Sequence, residues 1–274
     1  MKSRQDRALS LLYGTALGRR LLRVMIKPGF SRLGGRLLDC RLSALAVRPF
    51  VRAHDMDMTQ CPERKFSSFN AFFTRKLSPD ARPVDADPHA FISPCDGKLT
   101  VWPIGPEGRF PVKGTEYTLS RLLNDEDLAG RFRGGLLWLF RLSPDDYHRY
   151  IWPVDGTPGD TVRIPGVFHT VTPLDAGQPP VYHENTREYR LIETENMGPV
   201  LMMEVGAMLV GRIENLPWDG PARRGQEKGY FAFGGSTIIL ITEKDAAVPV
   251  EPIAARSRLK LETPVRSGQK VGTV

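Results

Sequence analysis

The strongest strand pattern in the chain is interrupted by two adjacent glycines. Residues 229 to 241, Gly-Tyr-Phe-Ala-Phe-Gly-Gly-Ser-Thr-Ile-Ile-Leu-Ile, are aromatic and β-branched except where Gly234 and Gly235 break the run. Glycine weakens a strand interior, so a pair of them marks a bulge or a point where another group approaches the backbone. Any fold must build a strand here and also break it. Ser236 follows directly, with its hydroxyl placed to reach the preceding carbonyl. Given a base, it becomes an internal nucleophile toward the Gly235–Ser236 peptide. A plain bulge with a buried Ser236-Thr237 pair is the other reading of the same residues.

Around this stretch the chain is built of short apolar runs. Phe91-Ile92, Lys98 to Val101, Leu136 to Leu142, Tyr189 to Thr194, Val200 to Val205, Leu209 to Ile213 and Thr237 to Ile241 are separated by Gly, Pro and Asp clusters. That spacing predicts a β-rich sandwich or barrel rather than alternating βαβ units. One helix is expected within it, over Leu119 to Leu128, and two small strands about a Ser-Gly turn are expected over residues 261 to 272. Glu204 to Gly211 reads as a core strand, with Gly206-Ala207 allowing close packing. The fold class is therefore α+β and β-rich, a sandwich- or barrel-like core. The 274 residues are enough for one large domain or two small ones.

The N-terminal part differs. Leu9, Leu11, Leu12, Leu17, Leu21, Leu22, Val24, Met25 and Ile26 recur at near-helical spacing among Arg4, Arg7, Arg19, Arg20, Arg23 and Lys27, and Pro28-Gly29 is expected to end the run. A second set, Leu33 to Val47, continues to Pro49 with Arg32, Arg36, Arg41, Arg48 and Arg52 alongside. These are basic amphipathic helices. They suit either a bilayer interface, arginines on anionic headgroups and leucines among acyl chains, or packing on the chain's own core with a solvated basic face. The formal charge of +7 agrees with an acidic partner surface, nucleic acid or membrane. No apolar run reaches the roughly 20 residues of a spanning helix. The expected division is a helical membrane-docking region over 1–65 and a β-rich domain over 66–274. A short aromatic helix, Phe66 to Leu77, opens that domain, and Ser78 to Ala90 form an extended connector. Cys40, Cys61 and Cys95 are odd in number and scattered, which points to a reducing compartment.

Several polar clusters punctuate the strands. Ser93-Pro94-Cys95-Asp96-Gly97 puts a carboxylate in a tight turn, either a hairpin turn or an acid within reach of a site. His148 lies at a strand end in Asp145-Asp146-Tyr147-His148-Arg149-Tyr150, where histidine is the side chain most easily tuned for proton exchange. His169 and His183 occupy other loops, and no pair has metal-ligand spacing, so no metal is expected. Arg223 to Gly229 reads as a charged turn or a headgroup contact. Asp96, a histidine and Ser236 can form an acid, base and nucleophile set converging from separate loops.

Taken in order, Phe72-Phe73-Thr74-Arg75-Lys76-Leu77, Ser93 to Gly97, Asp146-Tyr147-His148-Arg149-Tyr150, Pro153-Val154-Asp155-Gly156, Glu204 to Gly211 and Gly229-Tyr230-Phe231 through Gly234-Gly235-Ser236-Thr237 resemble the phosphatidylserine decarboxylase family over roughly residues 66 to 241. The resemblance implies an enzyme that makes its own cofactor. Ser236 would attack the Gly235 carbonyl, giving a β chain of 1–235 and an α chain of 236–274 that begins with a pyruvoyl group. That ketone condenses with the substrate amine and draws electrons as carbon dioxide leaves. His148 matches the family histidine associated with decarboxylation. The family histidine three positions later, assigned to activating the serine, is here Ile151, which cannot accept a proton. His169 is the substitute expected, with Asp96 orienting it.

The implied partners are a phospholipid substrate and an anionic membrane surface, on the cytoplasmic face of a bacterial membrane. The two chains of one precursor stay together, a homodimer is allowed and nucleic acid is not expected. Two alternatives remain at this point: the same chemistry on a soluble amino acid, or a non-catalytic β-barrel binding module with Gly235-Ser236 intact.

Overall fold

The computed structural model describes Thr15, Arg20 and residues 28–112, 115–167, 183–206, 212–232 and 236–274. Most of the first basic segment therefore lies outside the described residues. Whether the first run ends at Pro28 lies outside the described residues, but Pro28 opens a helix of its own: α1 spans Pro28–Asp39. A first-turn proline costs nothing there, because its missing N–H is one a helix leaves unpaired anyway. A 3-10 turn over Arg41–Ala46 and α2 (Val47–Ala53) follow, and Pro49 sits in the first turn of α2 for the same reason. Next comes α3 (Phe69–Phe73), whose N-cap Ser68 accepts from Ala71 N at 3.1 Å. Val47, Phe50, Val51, Met56 and Met58 pack with Phe66, Phe69, Phe72 and Phe73, so an aromatic cluster pins the N-terminal helices to α3. Phe50 meets Phe69 and Phe72 edge-on, at centroid distances of 5.2 and 6.0 Å.

The strands begin with β1 (Ala90–Ile92) and β2 (Gly97–Pro103), then a hairpin of β3 (Arg109–Val112) and β4 (Thr115–Thr118). The expected single helix is two, α4 (Leu119–Leu123) and α5 (Glu126–Arg131). Asn124 ends the first in a left-handed conformation at φ 54°, and Asp125 caps the second by accepting from Leu128 N at 2.9 Å. There follow β5 (Leu136–Leu142), β6 (Arg149–Ile151), β7 (Thr157–Pro158), β8 (Val162–Ile164), β9 (Arg187–Glu193), β10 (Val200–Gly206), β11 (Ile213–Asn215), β12 (Glu227–Phe231) and β13 (Ser236–Thr242). The chain closes with β14 (Val248–Pro249), α6 (Glu251–Arg258), β15 (Thr263–Val265) and β16 (Lys270–Thr273).

The main sheet runs β15-β2-β5-β13-β10-β9-β7, with β8 also on β9. It is an open path, so the barrel half of the sandwich-or-barrel expectation is not realised. The two small strands expected about the Ser267-Gly268 turn are present, β15 pairing with β2 and β16 with β1 and β14. Strands β10 and β13 are buried at every position, which explains their unbroken apolar sequences: both faces of the sheet are covered. One face packs Trp138, Phe140, Met202, Ile238 and Leu240 against Tyr150, Trp152 and Phe231 of a small β11-β12-β6 sheet, and against Ile253 of α6. The other packs Leu139, Leu201, Met203 and Ile239 under the β3–β4 hairpin, α4 and α5.

Candidate active site

The interrupted strand pattern turns out to be a change of sheet. β12 ends at Phe231 in the small sheet, whereas β13 begins at Ser236 in the middle of the main one. Phe233, Gly234 and Gly235, the last being the expected cleavage position, lie outside the described residues. Register places Ser236 opposite Leu142, the last residue of β5, and opposite Gly206, the last of β10. Lys98 faces Arg141, so Gly97 stands at the same level as Leu142. Gly97, Leu142, Ser236 and Gly206 therefore form a row across four strand ends, with Asp96 the residue before it on the β2 side. Gly97 is required there: its φ is 152° and a Cβ would come within 2.8 Å of Arg141 O.

Ser236 is 1 % exposed, and its Oγ has no hydrogen-bond partner among the described residues. A buried hydroxyl left unpaired costs about 1–3 kcal/mol, which marks it as a group kept for something other than stability.

Asp96 is not in a hairpin turn, because β1 and β2 do not pair with each other. Its carboxylate is held by the Arg82 fork, Nε to Oδ1 at 2.7 Å and Nη2 to Oδ2 at 2.5 Å, and by Ser267 N at 2.9 Å. That bidentate grip fixes the carboxylate orientation.

His148 is fully buried and packs against Phe73 of α3, the rings tilted by 36° with 3.9 Å between centroids. Its Nδ1–H donates to Asp146 O at 2.9 Å, and its own carbonyl accepts from Phe231 N at 2.9 Å, where the chain leaves β12. Nε2 is buried and has no partner among the described residues. Burial pushes the imidazole down to about 3, against the Asp146 hydrogen bond, and the nearby Arg75 charge adds to the effect. The ring is thus neutral, with Nε2 free to accept. Asp146 moves the other way, to about 6, because burial outweighs its bond from Ser143 N.

His169 lies outside the described residues. Val167, two residues before it, bridges to Asn185, and Asn185 Nδ2 donates to Gly206 O at 2.8 Å, so the segment leading to His169 is tied to the residue facing Ser236. Ile151 ends β6 with its N–H on Pro94 O at 2.9 Å. His183 is part-buried, with its imidazole lowered by burial. Glu204 does lie in a core strand, but β10 stops at Gly206, and residues 207–211 fall outside the described residues.

Some participants were invisible to spacing. Glu204, fully buried, pairs with Lys228 of β12 at 2.8 Å, and Lys228 also donates to Asn215 Oδ1 at 2.5 Å. Burial raises the Glu204 carboxyl and lowers the Lys228 amine. Arg224 donates to Asp87 O at 2.7 Å and Ala90 O at 2.9 Å. The charged run from Arg223 thus ties the connector and the two sheets together at Arg224 and Lys228. A basic run is the only signal either residue offers in the sequence.

Comparison with known proteins bears on this arrangement. Residues 69–273 match the model of the phosphatidylserine decarboxylase family. The chain is 38% identical over 272 residues to phosphatidylserine decarboxylase proenzyme 2 of Clostridium acetobutylicum, covering 99% of this chain and 93% of that protein. It is also 38% identical to the phosphatidylserine decarboxylase proenzyme of Ruminiclostridium cellulolyticum, over 97% of this chain and 91% of the relative. For the proenzyme of Fusobacterium nucleatum the identity is 35%, over 97% and 90%.

Proposed function

Because the chain belongs to the phosphatidylserine decarboxylase family, we propose that it is made as a proenzyme, cuts itself between Gly235 and Ser236, and then converts phosphatidylserine to phosphatidylethanolamine and carbon dioxide. The observation that carries this reading is the buried hydroxyl of Ser236, without a partner among the described residues and set at the first residue of a central strand directly after the Gly235 peptide.

In the cleavage the Ser236 hydroxyl yields its proton to a base as its oxygen bonds to the Gly235 carbonyl carbon. The peptide C–N bond breaks, the Ser236 nitrogen takes a proton and an ester remains. Loss of the Ser236 Cα proton expels the carboxylate of chain 1–235, and water then replaces nitrogen, released as ammonia, leaving a pyruvoyl ketone at the head of chain 236–274. That group supplies an electron-accepting carbonyl next to the bond that must break. Its pocket would be the row of strand ends, with Gly206 and Leu142 on either side of position 236.

His169 is our base for the first step, supported by the anchoring of Val167 and Asn185 to Gly206. Asp96, fixed by Arg82 and Ser267, is the carboxylate a charged histidine would lean on. His148 handles the later proton. It is neutral as it stands, so it gains a proton only when an anionic substrate enters beside it and offsets the penalty of burial.

Docking to an anionic membrane surface is supported by Leu37, Leu42 and Leu45, which are exposed among Arg36, Arg41, Arg48 and Arg52. Among the described residues no helix is long and apolar enough to cross a membrane.

Intact-mass measurement and carbon dioxide release from phosphatidylserine vesicles test the proposal together. The expected result is two fragments, split after residue 235, and turnover. Ser236→Ala and His169→Ala should leave one uncut chain, whereas His148→Ala should cleave and release no carbon dioxide. Turnover by a chain that stays full-length would overturn the reading, and normal cutting of His169→Ala would remove that residue from it.

A further inference from the structure

The aromatic stretch Phe72 to Leu77 ends in a buried arginine for which the cleavage chemistry has no use. Arg75 is 7 % exposed, and its Nε has no partner among the described residues. Its side-chain hydrogen bond, from Nη1 to Phe72 O, is long at 3.5 Å, and the guanidinium lies over the Phe72 ring at 5.0 Å. No described carboxylate comes within ion-pair distance of it. Burying a guanidinium without a counter-charge is expensive, and such a group persists where an anion completes it.

Arg75 lines a cavity of about 200 Å³ at the junction of three parts of the chain: His54 to Asp57 and Gln60 beyond α2, Arg82 and Asp96, and Asp145 to Tyr147 of the loop that carries His148. Arg266 lines it as well. Five carboxylates line it, each either hydrogen-bonded or exposed to solvent. Asp96 is held by Arg82, Asp146 accepts from Ser143 N at 2.6 Å, and Asp55, Asp57 and Asp145 are exposed. Arg75 is therefore the cation on the buried wall still open to a ligand.

We propose that this cavity receives the headgroup of the phospholipid substrate and that Arg75 pairs with its phosphodiester. The proposal rests on the decarboxylase reading above and goes on to name the group that recognises the lipid. Choosing phosphodiester over carboxylate follows from the reaction. A cation gripping the carboxylate that must leave would stabilise the ground state more than the transition state and slow the step, whereas the phosphodiester keeps its charge throughout. A guanidinium also matches two phosphate oxygens with its fork, which an ammonium cannot do. Pairing would moreover mask the Arg75 charge that now weighs on His148. The cavity opens beside the residues that follow α2, so the headgroup would enter from the side that meets the bilayer.

The test uses the mature two-chain protein and two readouts. Calorimetry with glycerophosphoglycerol, a phosphodiester with neither amine nor carboxylate, should show binding to wild type that falls at least tenfold in Arg75→Gln. Kinetics on phosphatidylserine vesicles should show KM raised about tenfold or more with kcat changed less, while slow turnover of serine methyl ether, which has no phosphate, is unaffected. Arg75→Lys, which keeps the charge and loses the fork, should fall between the two. Should Arg75→Gln fail to mature, Arg75→Lys carries the same comparison. Should both fail, absence of glycerophosphoglycerol binding to wild type is enough to overturn the proposal, and binding that a cavity-filling Leu77→Trp abolishes supports it. Unchanged KM in Arg75→Gln, or equal losses on both substrates, also overturns it. A wild-type protein that releases no carbon dioxide from the lipid would instead sink the decarboxylase reading, so the two failures are distinguishable.

Discussion

Two of the buried side chains assigned to the proposed chemistry are costly to the fold. Ser236 keeps an unpaired hydroxyl, and His148 keeps a neutral imidazole where an ordinary histidine would charge near pH 6.5. The sign of the second effect is fixed by linkage. Above pH 6.5 the ring is neutral in folded and unfolded chains alike and contributes no pH dependence. As pH falls below 6.5 the unfolded chain takes up a proton that the native one refuses until about 3, so stability is lost at roughly 1.4 kcal/mol per unit. Urea unfolding of wild type and His148→Gln at pH 6.5 and 5 should therefore differ in slope. Wild type should lose about 2 kcal/mol more than the variant over that interval, and parallel losses would show that His148 is not held neutral by burial.

Elements place these residues through contacts that bridge sheets. Lys228 of β12 and Glu204 of β10 join the small sheet to the large one. Removing one partner strands a buried charge, which costs about 3–5 kcal/mol, while replacing both with apolar residues is often neutral. Lys228→Met should thus be strongly destabilised and slow to self-cleave, and the Glu204→Leu/Lys228→Met double variant should recover both properties. Urea midpoints and gel-monitored cleavage check this, and a double variant no better than the single one would remove the ion pair as the cause. Helix α3 makes a second bridge, because the same aromatic cluster that holds α2 also presents Phe73 to His148. Phe73→Ala should cost about 3–5 kcal/mol as a large-to-small core change. It should also lower carbon dioxide release more than it lowers self-cleavage, an effect seen by comparing gel and gas measurements on one preparation.

On the scale of the molecule, the basic helices proposed to dock on a membrane also pack into the core through Val47, Phe50 and Val51. Deleting residues 1–60 would uncover Phe69, Phe72 and Phe73, so loss of activity after truncation would not by itself speak of membranes. Leu37, Leu42 and Leu45 are exposed at 62%, 77% and 78%, and can be changed without touching that cluster. The triple serine variant should bind anionic vesicles at least tenfold more weakly, given about 1.5–3 kcal/mol for each leucine fully buried. Its unfolding midpoint should not move, and wild-type binding should weaken as salt rises. Vesicle sedimentation decides it: unaltered binding by the triple variant would place the docking surface elsewhere.

The peptide proposed to be cut, the β-rich class and the absence of a second family histidine at Ile151 were legible in the sequence alone. Each is a matter of local order: glycines before a serine, apolar runs between turn residues, one side chain in place of another. Only the tertiary structure decided that Phe231 ends a strand of one sheet and Ser236 begins a strand of another. It alone decided that Pro28 and Pro49 begin helical turns, that Asp96 is gripped by Arg82, and that Arg75 stands buried over a cavity beside His148. The reason is that periodicity reports which way a residue faces but not what it faces. Strand register and the partners of a buried charge come from segments far apart in the chain, and they exist only once the sheets have packed.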